Sequence, residues 1–291
     1  MFLANNVTET NKYKMSNLNP HLQNKINDLE KWFSKRKGSI VAFSGGIDST
    51  LVLFLARKFQ GKQNAIGVIS NSESLKSKDF KFAQDFCKTF DIQLEIIKTL
   101  ELKDERYNQN PENRCYFCKE HLFHDLQTMK DNYPEFDVLS GTNYNDLGDY
   151  RPGLQAAAKY KVLSPMVDCN LTKDELRQIA KHFELPNWDK PASPCLSSRI
   201  PYNHQITREK LQQVEDAENI LNDFGFKDVR VRHYGTYGQI EVQKEEMDKL
   251  LLLENEVVDK IRNVGFAELK IDKEGLVSGK LNRVLKNVNK Q

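Results

Sequence analysis

The chain has 291 residues, 39% hydrophobic and 29% charged, with 43 Lys plus Arg against 41 Asp plus Glu for a net charge of +2. That composition supplies a packed core and excludes global disorder, and the near-balance of charge argues against a surface built to clamp a nucleic-acid backbone. The longest strongly apolar run, Leu51-Val-Leu-Phe-Leu-Ala56, is far short of the roughly 20 residues that span a bilayer. Residues 1–18 read as a polar tail without the apolar block of a secretory signal, so a cytoplasmic location is expected.

Helical spacing of Leu22, Ile26, Leu29 and Phe33 predicts a helix over 21–33. A short buried strand at 39–43, a Gly-containing loop and a helix at 49–59 follow. Strands at 65–70 and 92–97 flank a helix at 76–90. A helix at 120–130, a strand at 137–140 and a short helix at 153–159 come next. Thr172 with Glu175 is a capping-box signature for a helix ending near 183. This alternation implies an α/β fold with a doubly wound parallel sheet over 19–201. Beyond Pro201 the pattern changes to a helix at 211–224, two strands, further helical periodicity and a last strand at 266–271. Residues 202–291 are therefore expected to form a smaller α+β domain.

Ser44-Gly-Gly-Ile-Asp-Ser49 directly follows a predicted strand and opens a helix. Paired glycines let backbone amides approach an anion, and the helix N-terminus adds orphan donors. Ser44 and Ser49 add hydroxyl donors around Gly45 and Gly46. Asp48 would repel phosphate unless a divalent cation lies between, which implies Mg²⁺. The string lacks the Gly-Lys-Ser/Thr of a Walker A loop and the third Gly of a dinucleotide fingerprint. It resembles the PP-loop of the ATP pyrophosphatase superfamily. That resemblance implies ATP cleavage between the α- and β-phosphates, with adenine near Ser70 at the end of the second strand.

Five cysteines are present. Cys87 and Cys169 read as ordinary packed thiols. Cys115 and Cys118 form a CxxC pair after a polar, irregular stretch at 108–114. Cys195 lies in a Pro-rich loop beside Arg199, whose guanidinium would favour the thiolate. Three converging thiolates suit a 4Fe–4S cluster with one open iron, and His121 or His124 as a fourth ligand would suit zinc.

The order of four strings resembles the LarE family of ATP-dependent sulfur insertases. They are the phosphate loop, Arg114-Cys-Tyr-Phe-Cys-Lys119, Gly141-Thr-Asn143 with Asp149-Tyr-Arg-Pro-Gly153, and Pro191-Ala-Ser-Pro-Cys-Leu-Ser-Ser-Arg-Ile-Pro201. The resemblance covers about 22–285, and Cys195-Leu-Ser-Ser-Arg199 is its most diagnostic piece. It implies an anionic pyridinium-3,5-biscarboxylate mononucleotide as substrate, adenylylated on a ring carboxylate before sulfur displaces AMP. With Cys115, Cys118 and Cys195 all present, it implies the cluster-dependent branch, fed by inorganic sulfide or another sulfur donor. It also implies a homo-oligomer, ATP contact at Gly141, and substrate contacts from Asn143, Asp146, Asp149, Arg151, Ser198 and Arg199. The family's acidic residue beside Asp146 is replaced by Asn145.

A nucleotide substrate needs cations for its phosphate. Arg230 and Arg232 share one face of a strand by period-two alternation, and Glu218 and Glu241 could hold these arginines or a metal. A solvated face with surface ion pairs is the alternative, and His233 reads as packed rather than ligating. Rival functions are a cluster-dependent tRNA thiolase, a 7-deazaguanine nitrile synthase, and a non-catalytic ATP-binding module. The charge balance disfavours the thiolase, and the deazaguanine enzyme would need a fourth thiolate.

Overall fold

The computed structural model describes residues 18–148, 151–277 and 279–283. In chain order the elements are α1 (Pro20–Ser34), β1 (Gly38–Ala42), α2 (Ile47–Gln60), β2 (Ala65–Ser70), α3 (Ser77–Thr89) and β3 (Gln93–Ile97). Next come α4 (Glu105–Asn108), α5 (Arg114–Thr128), β4 (Phe136–Leu139), α6 (Gly153–Lys159), α7 (Pro165–Asp168) and α8 (Lys173–His182). The last are α9 (Arg208–Asp223), β5 (Val229–His233), β6 (Tyr237–Val242), α10 (Met247–Leu252), α11 (Glu254–Arg262) and β7 (Glu268–Ile271).

The chain divides into two compact units. Among the described residues, the first gathers those up to Asn71 with Ser77–Thr99 and those from Lys119 to Ala192; the second gathers Ser72–Lys76, Leu100–Cys118 and those from Ser193 onward. The second therefore includes 72–76 and 100–118, segments that lie within the expected 19–201 domain.

In the first unit, four parallel strands run in the order β3-β2-β1-β4. Every residue of β1 is buried, as expected for a central parallel strand covered on both faces. The apolar run in α2 is buried all round, so this helix lies inside the unit rather than on its surface. The strand order reverses at β1, whose neighbours are β2 on one side and β4 on the other. The doubly wound α/β architecture is thus borne out. The carboxyl ends of β1 and β4 flank the switch point, where such sheets bind ligands.

In the second unit, β5 pairs antiparallel with β6, and β6 parallel with β7. Ala217 and Leu221 of α9 join Val231, Ile240, Leu250, Val257 and Phe266 in one core. A second core joins Tyr107, Leu196, Ile200, Ile206, Leu211 and Val214, with Phe117 and Cys118 against it.

One local expectation is corrected, and another is refined. Helix α5 begins at Arg114 and not near 120, so Cys115 and Cys118 lie among its opening residues. Arg114 is buried and donates to Asn110 Oδ1 at 2.5 Å, while Arg114 N reaches Pro111 O at 3.0 Å; this polar anchor starts the helix early. The loop around Cys195 contains a 3₁₀ turn, Leu196–Arg199, with Cys195 at its head.

Candidate active site

In the first unit the segment after β1 meets the segment after β4. Gly45 has φ 70°, and a Cβ there would lie 2.8 Å from Asp79 O. A Cβ on Gly141 would lie 2.6 Å from Ser49 N, so only glycine permits this approach of the two segments. Ser49 Oγ receives Ser44 N at 3.2 Å, lies 3.1 Å from Ser44 Oγ and donates to Gly46 O at 3.0 Å. Gly46 caps α2 without any side-chain bond, which leaves first-turn amides as donors for an anion.

Asp48 lies on that first turn, half-buried, with both carboxylate oxygens engaged. Asn143 Nδ2 donates to Oδ1 at 2.9 Å, and the Lys173 ammonium pairs with Oδ2. Lys173 N in turn donates to Asn145 Oδ1 at 2.8 Å, and Asn145 N to Asn143 Oδ1 at 3.0 Å. These contacts close a polar ring through Asp48, Asn143, Asn145 and Lys173. The ring gives the amide found at Asn145, in place of an acid, a structural task. Asp146 accepts from Asn143 N at 3.1 Å and pairs with Arg151 Nη2 at 2.7 Å. Ser70 bonds Thr99 Oγ1 at 2.5 Å. Asp149 lies outside the described residues.

Below the loop, Asn187 Nδ2 donates to Gly45 O at 3.2 Å and to Thr50 Oγ1 at 3.0 Å. Lys190 Nζ reaches Gly45 O at 3.1 Å and Asp79 Oδ1 at 2.8 Å.

The second unit holds the three thiols and the arginines. Cys115 and Cys195 are exposed and Cys118 is half-buried. Tyr107 OH meets Ser197 Oγ at 2.6 Å in a buried pair. Burial, then the nearby Cys118 and Cys195, hold the Tyr107 phenol well above its usual range. Cys118 packs against the core that contains Tyr107, and Ser197 lies two residues after Cys195. Among the described residues no group of three or more His, Cys, Asp or Glu is gathered as a metal-ligand set. The donor chemistry of the three thiols suits an iron–sulfur cluster, but their arrangement is not closed around one. His124 packs against Tyr160 at 6.3 Å between ring centroids. By contrast, burial raises the Cys87 pKa to about 12, and burial with Asp28 and Asp168 raises Cys169 to about 11. Burial thus disfavours the thiolate at both.

Arg199 is fully buried, and its Nε bonds Glu218 Oε1 at 2.7 Å. Its other contacts are Glu218 Oε2, Pro194 O, Cys195 O and Ser198 Oγ. The guanidinium therefore anchors the 3₁₀ turn, and the expected contact with the Cys195 sulfur is absent from its bonds. Lys76 Nζ also reaches Glu218, at 2.8 Å. Burial would raise the Glu218 carboxyl, but Arg199 and Lys76 outweigh it and hold the group below its usual range.

Arg230 and Arg232 divide into two kinds. Arg232 is buried, forks onto Glu241 at 2.7 and 2.9 Å and donates to Ser198 O at 3.0 Å. Arg230 is half-buried and has no hydrogen-bond or ion-pair partner among the described residues. Burial, with Arg199 and Arg232 nearby, lowers its pKa, the mark of a cation short of a counter-charge. His233 is buried and bonds Gln213 Oε1 at 2.9 Å, a packed histidine as expected.

Comparison with known proteins gives these arrangements a family. A family model described as NAD synthase matches residues 16–121. The chain is 41% identical to an uncharacterised protein of Synechocystis, over 91% of this chain and 99% of that one. It is 26% identical to a glutamine-hydrolysing GMP synthase of Prochlorococcus marinus, over 76% of this chain and 46% of that one. It is 33% identical to pyridinium-3,5-bisthiocarboxylic acid mononucleotide synthase of Lactiplantibacillus plantarum, over 84% of this chain and 89% of that one. The chain belongs to the LarE family.

Within this LarE-family chain, the residues that sequence reasoning missed are lysines and amides. Lys173, Lys190, Asn187 and Lys76 carry no local motif. The Thr172–Glu175 capping box does place Lys173 at the first position of α8, but its partner Asp48 is 125 residues away.

Proposed function

We propose that this chain is an ATP-dependent sulfur transferase acting on pyridinium-3,5-biscarboxylate mononucleotide. The observation that carries the reading is the junction at the β1/β4 switch point. There Gly141 packs on Ser49 and Asn143 holds Asp48, at an uncapped helix N-terminus. A ring carboxylate oxygen attacks the α-phosphorus of ATP and pyrophosphate leaves. Sulfide then attacks the acyl carbon of the mixed anhydride, and AMP departs with the former carboxylate oxygen. Loop amides and the Ser44 and Ser49 hydroxyls would cradle the phosphates, with Asp48 holding Mg²⁺. One carboxylate plus phosphate oxygens is a common Mg²⁺ donor set. Arg230 would take the substrate phosphate, with Ser198 and Arg199 shaping the turn beside it. Cys115, Cys118 and Cys195 would hold a 4Fe–4S cluster, which supplies sulfide to the acyl carbon when bound. A cytoplasmic homo-oligomer completes the reading.

The test is pyrophosphate release with ATP and the dicarboxylate mononucleotide, set against bulk tRNA and against no acceptor. Release with the mononucleotide alone is expected. Release only with tRNA would overturn the proposal, and iron with acid-labile sulfide in anaerobically purified protein tests its cluster.

A further inference from the structure

We propose that Lys173 is a movable counter-ion for Asp48, one that lets the triphosphate bind before the divalent cation arrives. The inference rests on the ATP reading of the loop. A bare carboxylate on the first turn of α2 would stand among the amides that an incoming polyanion needs, and like charges this close repel strongly. The structure neutralises it: the Lys173 ammonium pairs with Oδ2 while Asn143 covers Oδ1.

Lys173 is built to let go. Its backbone is fixed by the bond from Lys173 N to Asn145 Oδ1 at 2.8 Å, next to the Thr172 cap of α8. Its side chain keeps 30% of its surface exposed, and a four-carbon stem lets the head swing while the root stays. A divalent cation reaching Asp48 must replace this ammonium, and the released head then turns to solvent. Lys190 is not equivalent, because its ammonium is tied to Asp79 and to Gly45 O under the loop.

The experiment is calorimetric titration of α,β-methylene-ATP into the full chain, in EDTA and in excess Mg²⁺. It compares wild type, Lys173→Met, Lys173→Gln, Asp48→Asn and the Asp48→Asn/Lys173→Met double variant. Removing Lys173 should weaken binding in EDTA by about tenfold or more, and by less than about threefold in Mg²⁺. The double variant should bind in EDTA nearly as well as wild type, since no charge then needs neutralising. Equal losses in EDTA and Mg²⁺, no loss at all, or no rescue in the double variant would overturn the inference while leaving the ATP reading intact. A wild-type chain that binds no nucleotide in either condition would overturn both.

Discussion

Arg230 and Arg232 lie two residues apart on one strand, yet they are held differently. Arg232 is locked into a buried fork with Glu241, and removing one partner of such a pair strands a charge, at a cost of about 3–5 kcal/mol. Arg230 has no bond to lose among the described residues. Arg230→Ala should leave the unfolding free energy, measured by urea titration, within about 0.5 kcal/mol of wild type. The same change should weaken binding of the mononucleotide by about tenfold or more, because one charge-assisted phosphate contact is lost. Arg232→Ala should lower the urea midpoint as well as affinity. Loss of stability in Arg230→Ala would show that this residue too is structural. The alternation that puts both arginines on one face was legible in the sequence. Which of them is spoken for was not, because that depends on Glu241 and on Ser198, 34 residues before Arg232.

Most strands and helices were readable from periodicity, since buried parallel strands and amphipathic helices write their pattern locally. Helix α8 is the clearest instance. Its capping box forms, with Thr172 N donating to Glu175 Oε2 at 2.7 Å, and His21 Nε2 adds a contact to Glu175 Oε1 at 2.5 Å. Burial pushes the Glu175 carboxyl up, but these hydrogen bonds prevail and bring it from the ordinary 4.5 to about 2. A carboxyl depressed by folding contributes stability that is complete above its unfolded value and drains away as pH falls through the folded one. Between pH 5 and pH 3 the protein should therefore lose on the order of 1 kcal/mol through this group, after allowance for solvent screening. Urea midpoints for Glu175→Gln should be flatter over that interval, and parallel curves would remove Glu175 from the account. The start of α5 was not legible, because its anchor is the buried Arg114–Asn110 bond in a polar stretch with no helical period.

At the scale of the molecule, the second unit is not a C-terminal appendage. Its core joins Tyr107 and Leu196 to Leu211 and Val214, and Glu218 takes its two cations from Lys76 and Arg199. A chain cut at Pro201 leaves Tyr107, Leu196, Lys76 and Arg199 on one piece and Glu218 on the other. The separate 202–291 piece should show no cooperative thermal transition, read by circular dichroism; a sharp transition there would mean the last ninety or so residues fold without these partners. Short polar segments such as 72–76 carry no period, so only their distant contacts reveal which unit owns them. The phosphate loop itself was readable because its glycines, hydroxyls and acid are contiguous.

The loop's underside sets the direction of its upper side. All peptide bonds among the described residues are trans, so a carbonyl and the amide that follows it point opposite ways across one rigid plane. Asn187 and Lys190 grip Gly45 O from below, and the same plane turns Gly46 N–H to the side where the Ser44 hydroxyl lies, 3.4 Å away. Two side chains tied to the loop's underside therefore act as the stop of a weathervane, fixing which way the loop can donate.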